Sequence, residues 1–418
     1  MGIKEIIEKY GQSELTQTLT KAIQAKNPKV HLRGLIGSSD AVVAVASYTL
    51  QERPYLFILP THEDASYFLS DLESLLDKQV LFFPASYRKP FDFTQLDATH
   101  VLQRAETLNV LNHTSELPKM VVTYPEAIAE KVINRSDLEK NTLEITENTK
   151  LSIDFINEFL FEYDFDRVDF VYEPGQYAIR GGIVDIFSFS NDLPYRIEFF
   201  GDDIESIRTF EIESQLSVSK IHKVTIVPNV QAKFLSAQNI SLLEYIDKDA
   251  VVWIKDVQFT LDTIKDGNKK ATEFWNALSE KEKKDNSEWI NPAYGFSDEK
   301  NFNALLFDFP IVEFGKQLFY KAETTIKFDI HPQPSFNKDF NLLIHNFKEN
   351  EKNKIENLIF SDSPKQIERI YKILEDLDKT VTFIPVHKGF REGFRDDDVK
   401  LACYTDHQIF DRFFKYLR

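Results

Sequence analysis

The chain has 418 residues, 42% hydrophobic and 28% charged, and 50 Lys and Arg stand against 67 Asp and Glu for a net charge of −17. That length calls for about three domains, and the charge argues against a surface built mainly to grip a phosphate backbone. The single cysteine, Cys403, excludes an intrachain disulfide and a cysteine-rich zinc site.

The first residues, MGIKEIIEKYG, carry acids and no apolar core, so no signal peptide is expected. No run of about 18 apolar residues points to a membrane span. With one cysteine, this predicts a cytoplasmic protein without membrane contact.

Apolar residues at helical spacing predict one or two helices over 2–26, broken near Gly11. A short strand over 31–35, a loop over 34–39 and a small-residue helix over 40–50 follow. Strands at 55–59, 80–83 and 120–123 alternate with a helix over 61–76, the pattern of a parallel α/β sheet. Residues 126–215 differ, with a helix over 152–162 and a strand cluster over 174–208. In that cluster Gly181-Gly182 and 201–203 supply turns, and Ile183, Asp185 and Phe187 alternate with Val184, Ile186 and Ser188. Strands over 224–227 and 250–254, a charged helix over 261–284 and short strands at 305–307 and 311–312 predict a return to α/β character. Beyond Pro334, helices over 340–352, 364–377 and 406–417 and strands over 355–361, 381–384 and 400–404 form a small second α/β unit.

Gly34-Leu35-Ile36-Gly37-Ser38-Ser39-Asp40-Ala41 lies between a strand and a helix. A working phosphate loop there reads G-x-x-x-x-G-K-[ST], its Lys on the phosphates and its hydroxyl on magnesium. Here Ser39, Asp40 and Ala41 fill those three positions, so the chemistry is lost even if the shape survives. An ordinary strand–loop–helix turn with Asp40 at a helix N-terminus accounts for the same residues. Glu162, Asp164 and Asp166 read as a charged helix end, and Asp396-Asp397-Asp398 as a solvated loop. The nine histidines show no metal-ligand spacing. Cys403 reads as a buried small side chain.

The segments PGQYAIRGGIVDIFSF and PYRIEFFGDDIESIRTF, followed by Ser214-Gln215, resemble a signature shared by UvrB and the transcription-repair coupling factor (Mfd) family. GLIGSSDA looks like that family's degenerate phosphate loop, LPTHEDASYFLSDL like its next strand and helix, and YTDHQIFDR like the segment preceding its polymerase-interacting domain. UvrB keeps the loop lysine and carries a tyrosine-rich hairpin for probing DNA damage. Here residues 84–90 lead into a shorter connection, which favours the coupling-factor family.

The resemblance implies a multidomain α/β fold: a degenerate P-loop, helicase-like parallel sheet (1–125 and 216–335), an inserted α+β UvrA-binding domain (126–215), and a small separate α/β domain (336–418). It implies UvrA contacts at or beside Arg167, Arg180, Arg196 and Glu198, with Phe187 as an apolar anchor. Ala178 stands where UvrB has an arginine, so one contact is lost. No catalytic or metal-binding residue and no cofactor is implied. ATP and magnesium, RNA polymerase and DNA belong to motor and polymerase-binding domains expected beyond Arg418, and a C-terminal domain is expected to mask the UvrA-binding platform. A divergent nucleotide hydrolase, a UvrB-like damage probe and a DNA-binding scaffold are the competing readings.

Overall fold

A computed structural model of the chain describes residues 2–76, 78, 80–88, 97–112, 119–147, 149–229, 239–285 and 291–414. The connection expected to replace the UvrB hairpin falls largely outside them, at 89–96, as does the end of the expected closing helix, at 415–417.

The chain opens with α1 (Ile3–Gln12) and α2 (Glu14–Ala22), separated at Ser13, whose hydroxyl accepts the Thr16 N–H and caps the second helix. Then come β1 (Lys29–Arg33), α3 (Ser39–Leu50), β2 (Tyr55–Ile58), α4 (His62–Leu75), β3 (Leu81–Phe83), α5 (Ala98–Asn112) and β4 (Met120–Thr123). After α6 (Pro125–Ala129) and α7 (Arg135–Lys140) the chain turns strand-rich: β5 (Leu143–Thr146), α8 (Ile153–Glu162), β6 (Asp166–Arg167), β7 (Gln176–Arg180), β8 (Ile183–Ile186), β9 (Tyr195–Phe200), β10 (Asp203–Phe210), β11 (Ser217–Ile221) and β12 (Lys223–Ile226). Helices return with α9 (Leu242–Tyr245), β13 (Val251–Ile254), α10 (Val257–Ala277), α11 (Glu280–Asp285), α12 (Pro292–Gly295), α13 (Glu299–Phe307), β14 (Ile311–Glu313) and β15 (Thr324–Lys327). The last elements are β16 (Ile330–Pro332), α14 (Phe340–Lys352), β17 (Glu356–Phe360), α15 (Pro364–Leu377), β18 (Ile384–Val386), β19 (Phe394–Asp396), β20 (Leu401–Thr405) and α16 (Asp406–Ile409).

Seven parallel strands in the order β15-β1-β14-β13-β2-β4-β3 form the main sheet. Its central strands Tyr55-Leu56-Phe57-Ile58 and Val251-Val252-Trp253-Ile254 are buried at every position, which is why they read as unbroken apolar runs. Residues 305–307, expected as a strand, are instead the last turn of α13, which starts where Asp298 accepts the Lys300 and Asn301 N–H groups.

The strand-rich segment forms a six-stranded sheet, β11-β10-β9-β8-β7-β6, antiparallel except for its edge pair β6–β7. One face packs on α8 through Ile156 and Leu160 and has a core of its own, with Tyr177, Val184, Ile197 and Ile207. The strand expected at 224–227 does form, as β12, but it pairs antiparallel with β5 and does not enter the parallel sheet. Residues past the expected limit at 215 are thereby tied to Leu143–Thr146.

The final sheet, β16-β19-β20-β17-β18, mixes parallel and antiparallel pairs. It was expected to stand apart, but one of its faces shares the main core through Leu358, Phe360, Phe394 and Leu401, while the other covers a smaller core with α14 and α15. Asp396, expected in a solvated loop, ends β19 fully buried, and its carboxylate accepts the Tyr10 hydroxyl at 2.8 Å and the Asp398 and Val399 N–H groups. Cys403 is buried in β20, as expected. No helix among the described residues is long and apolar enough to cross a membrane.

Candidate interaction surface on the six-stranded sheet

Strand pairing arranges the outer face of the six-stranded sheet in two rows. Ala178, Asp185, Arg196 and Arg208 lie side by side across β7, β8, β9 and β10, and Lys220 of β11 continues the row. The neighbouring row is Arg180, Ile183, Glu198 and Ser206. The two-residue turn at Gly181-Gly182 sets this register: Gly181 holds φ at +61°, the left-handed region that glycine adopts without steric cost.

Asp185 organises the face. Its carboxylate is fully buried and takes the Arg196 Nε at 2.7 Å and a second Arg196 nitrogen at 2.9 Å, a bidentate clasp. Those hydrogen bonds push the Arg196 pKa up. Arg180 pairs with the same carboxylate and donates to the Asp169 carbonyl at 2.6 Å. Each guanidinium also lies over a ring, Arg180 over Phe170 at 5.2 Å and Arg196 over Phe210 at 4.4 Å. Glu198 pairs with Arg208 and accepts the Ser206 hydroxyl at 2.7 Å. Arg196 and Glu198 therefore share a face, as expected, but each is held by a different neighbour.

Arg167 and Phe187 stand elsewhere. Arg167 is exposed on edge strand β6, in register with the core-facing Tyr177, and so lies outside both rows. Phe187 is only 3% exposed. It packs with Val171, Ala178 and Phe210 beneath the segment leading into β7, so it cannot serve as a surface anchor. The exposed apolar groups are others: Phe170, Tyr172, Phe200, Leu216 and Val218. The clue to Asp185 in the sequence was an acid at the centre of an apolar strand, Ile183-Val184-Asp185-Ile186, where a buried carboxylate demands a charged partner. The exposed aromatics left no comparable signal, because periodicity does not reveal which face a loop covers.

The loop at residues 34–41 uses its polar groups internally. Gly34 holds φ at +83°, and a Cβ there would overlap the Phe328 carbonyl oxygen. The Ser38 N–H donates to the Glu392 carbonyl at 3.0 Å, and the Ser38 hydroxyl accepts the Glu392 N–H at 3.1 Å. The Ser39 hydroxyl closes on both backbone groups of Ile36. Asp40 accepts the Ala41 N–H at 2.8 Å and pairs with Lys255 at 2.9 Å. A cation thus reaches this corner of the loop from the end of β13, while Ala41, a buried residue, has no side-chain donor or ligand to add.

Residues 143–231 match the family described as UvrB interaction domain, and this segment contains both rows of the outer face. The chain is 27% identical over 229 residues to the transcription-repair-coupling factor of Bacillus subtilis, covering 54% of this chain and 19% of that protein. It is 29% identical over 207 residues to that of Myxococcus xanthus, 48% of this chain and 17% of the relative. With the Rickettsia bellii protein of the same name the identity is 31% over 154 residues, 37% of this chain and 14% of the other. The matched region is therefore less than a fifth of each relative's length.

Proposed function

We propose, from a UvrB interaction domain at residues 143–231 in a chain similar to transcription-repair-coupling factors, that this protein acts in transcription-coupled nucleotide excision repair as a docking module for UvrA. The observation that carries the reading is the Asp185-centred array of Arg180 and Arg196, which lies inside the matched segment on the face turned away from its core. A carboxylate that fixes two guanidinium groups presents planar donors in one arrangement before a partner arrives, which reduces the ordering cost of binding. Glu198 with Arg208, and the exposed Phe170 and Phe200, extend the same surface with charge and apolar area.

In this reading the module is not itself an enzyme and needs no cofactor. The charge of Asp40 and the internal use of Ser38 and Ser39 favour a loop kept for its shape. ATP hydrolysis and contacts with RNA polymerase and DNA are assigned to the parts of such proteins beyond the matched region, and a C-terminal domain is proposed to mask the same surface.

The test is capture of cognate UvrA by the whole chain and by Arg180→Ala. Truncating a hot-spot arginine costs about 2 kcal/mol or more of binding. Undiminished capture by the folded variant would remove the site assignment.

A further inference from the structure

An open cleft of about 710 Å³ lies on the main sheet's helical layer, far along the chain from the UvrB interaction segment. Ile3 and Ile7 of α1 form one wall and Leu75 and Leu76, at the end of α4, the other. Val45 and Leu50, in the last turns of α3, lie between them. Leu50 is 48% exposed, although it sits among apolar neighbours. Gly11 of α1 also lines the cleft and lies beside Leu50, the side chain that a Cβ there would meet at ordinary contact distance.

The rim is basic, which is unusual for a chain with a net charge of −17. Lys4, Lys78 and Lys388 line it from three separate segments, against one carboxylate, Glu8. Lys78 is within 3.2 Å of Glu52. Lys4 and Lys388 have no ion-pair partner among the described residues. Two helices flanking a floor of apolar side chains make a groove of the kind that accepts the apolar stripe of another helix. Lysines around that groove select acidic residues beside the stripe and repel basic ones.

We propose that this cleft is a second docking site, which takes an amphipathic helix of a partner protein with acidic residues flanking its apolar stripe. The site involves none of the residues assigned to UvrA and stands whether or not that assignment holds.

A suitable probe is a fluorescein-labelled helical peptide with leucines at i, i+3, i+4 and i+7 and glutamates on either side, compared by anisotropy with a twin that has lysine at every glutamate. The whole chain should bind the acidic peptide at least about tenfold more tightly than the basic one. Leu50→Asp should abolish this binding, and its fold is safeguarded because Leu50 is already half exposed. Lys4→Glu combined with Lys388→Glu should invert the preference between the two peptides. Failure of the acidic peptide to bind, equal binding of the twins, or binding that survives Leu50→Asp would each overturn the proposal.

Discussion

The backbone N–H of Arg391 donates to the carboxylate of Asp71 at 2.8 Å, joining the segment after β18 to helix α4. Asp71 is buried, and burial pushes its carboxyl up to about 7 against the opposing pull of the Arg391 N–H and the Ser38 hydroxyl. The unfolded chain gives up this proton near pH 4, so from about pH 4 to 7 the folded state holds a proton that the unfolded state has lost. The stability from this group is complete below about pH 4 and is lost as pH rises through 7, with a slope of about 1.4 kcal/mol per pH unit. Asp71→Asn should flatten that slope when urea midpoints of both proteins are compared from about pH 5 to 8. Parallel curves would mean that Asp71 ionises at its ordinary pKa.

Asp185 holds the outer face together and should also matter for stability. Asp185→Ala leaves Arg196, which is largely buried, without its bidentate partner. Breaking such a pair costs about 3 kcal/mol, most of it from the charge left behind. Arg180 is more exposed and adds little. Denaturant unfolding should show this loss for Asp185→Ala and a smaller one for Asp185→Asn, which keeps an acceptor for Arg196. A change below about 1 kcal/mol in Asp185→Ala would mean that solvent already screens the pair.

What the sequence made legible follows from how much each signal depends on distant residues. The central parallel strands announce themselves because both faces are buried, so four apolar residues in a row have one explanation at that length. Leu305-Leu306-Phe307 is as apolar but only three residues long, and such a run does not distinguish a strand from a helix end. The turn at Gly181-Gly182 and the shared face of Arg196 and Glu198 were local and readable. Phe187 was not, because Val171 and Phe210, from segments on either side of it in the chain, decide its burial. Asp396 was misread for the same reason: three consecutive acids look solvated until Tyr10, at the other end of the chain, reaches one of them.

Two glycines that both hold a positive φ, Gly181 and Gly34, should respond differently to a methyl group. Gly181→Ala meets no neighbouring atom and should cost only the left-handed backbone penalty, about 1 kcal/mol. Gly34→Ala has the same penalty and also forces the Cβ against the Phe328 backbone, for a loss of at least about 2 kcal/mol. Equal losses in thermal denaturation would show that the chain between β15 and β16 yields at no cost.

Calorimetric titration of the chain with Mg-ATP should give no binding heat. Asp40 places a carboxylate where a phosphate loop has its lysine, and the Ser38 N–H already donates to Glu392. Saturable binding heat from the unaltered chain would restore the enzyme reading.

Phe187 and Phe200 separate stability from recognition. Phe187→Ala empties a buried position beside Val171, Ala178 and Phe210, and cavities of that kind cost about 3–5 kcal/mol. Its effect on UvrA capture should vanish under conditions where the variant remains fully folded. Phe200 is 75% exposed on the face that carries Arg196 and Glu198. Phe200→Ala should leave the unfolding midpoint within about 0.5 kcal/mol of the parent and weaken capture by about 1–2 kcal/mol if the ring fills a pocket on the partner. Normal capture by Phe200→Ala together with loss in Arg180→Ala would confine the contact to the Asp185 cluster and exclude the apolar rim.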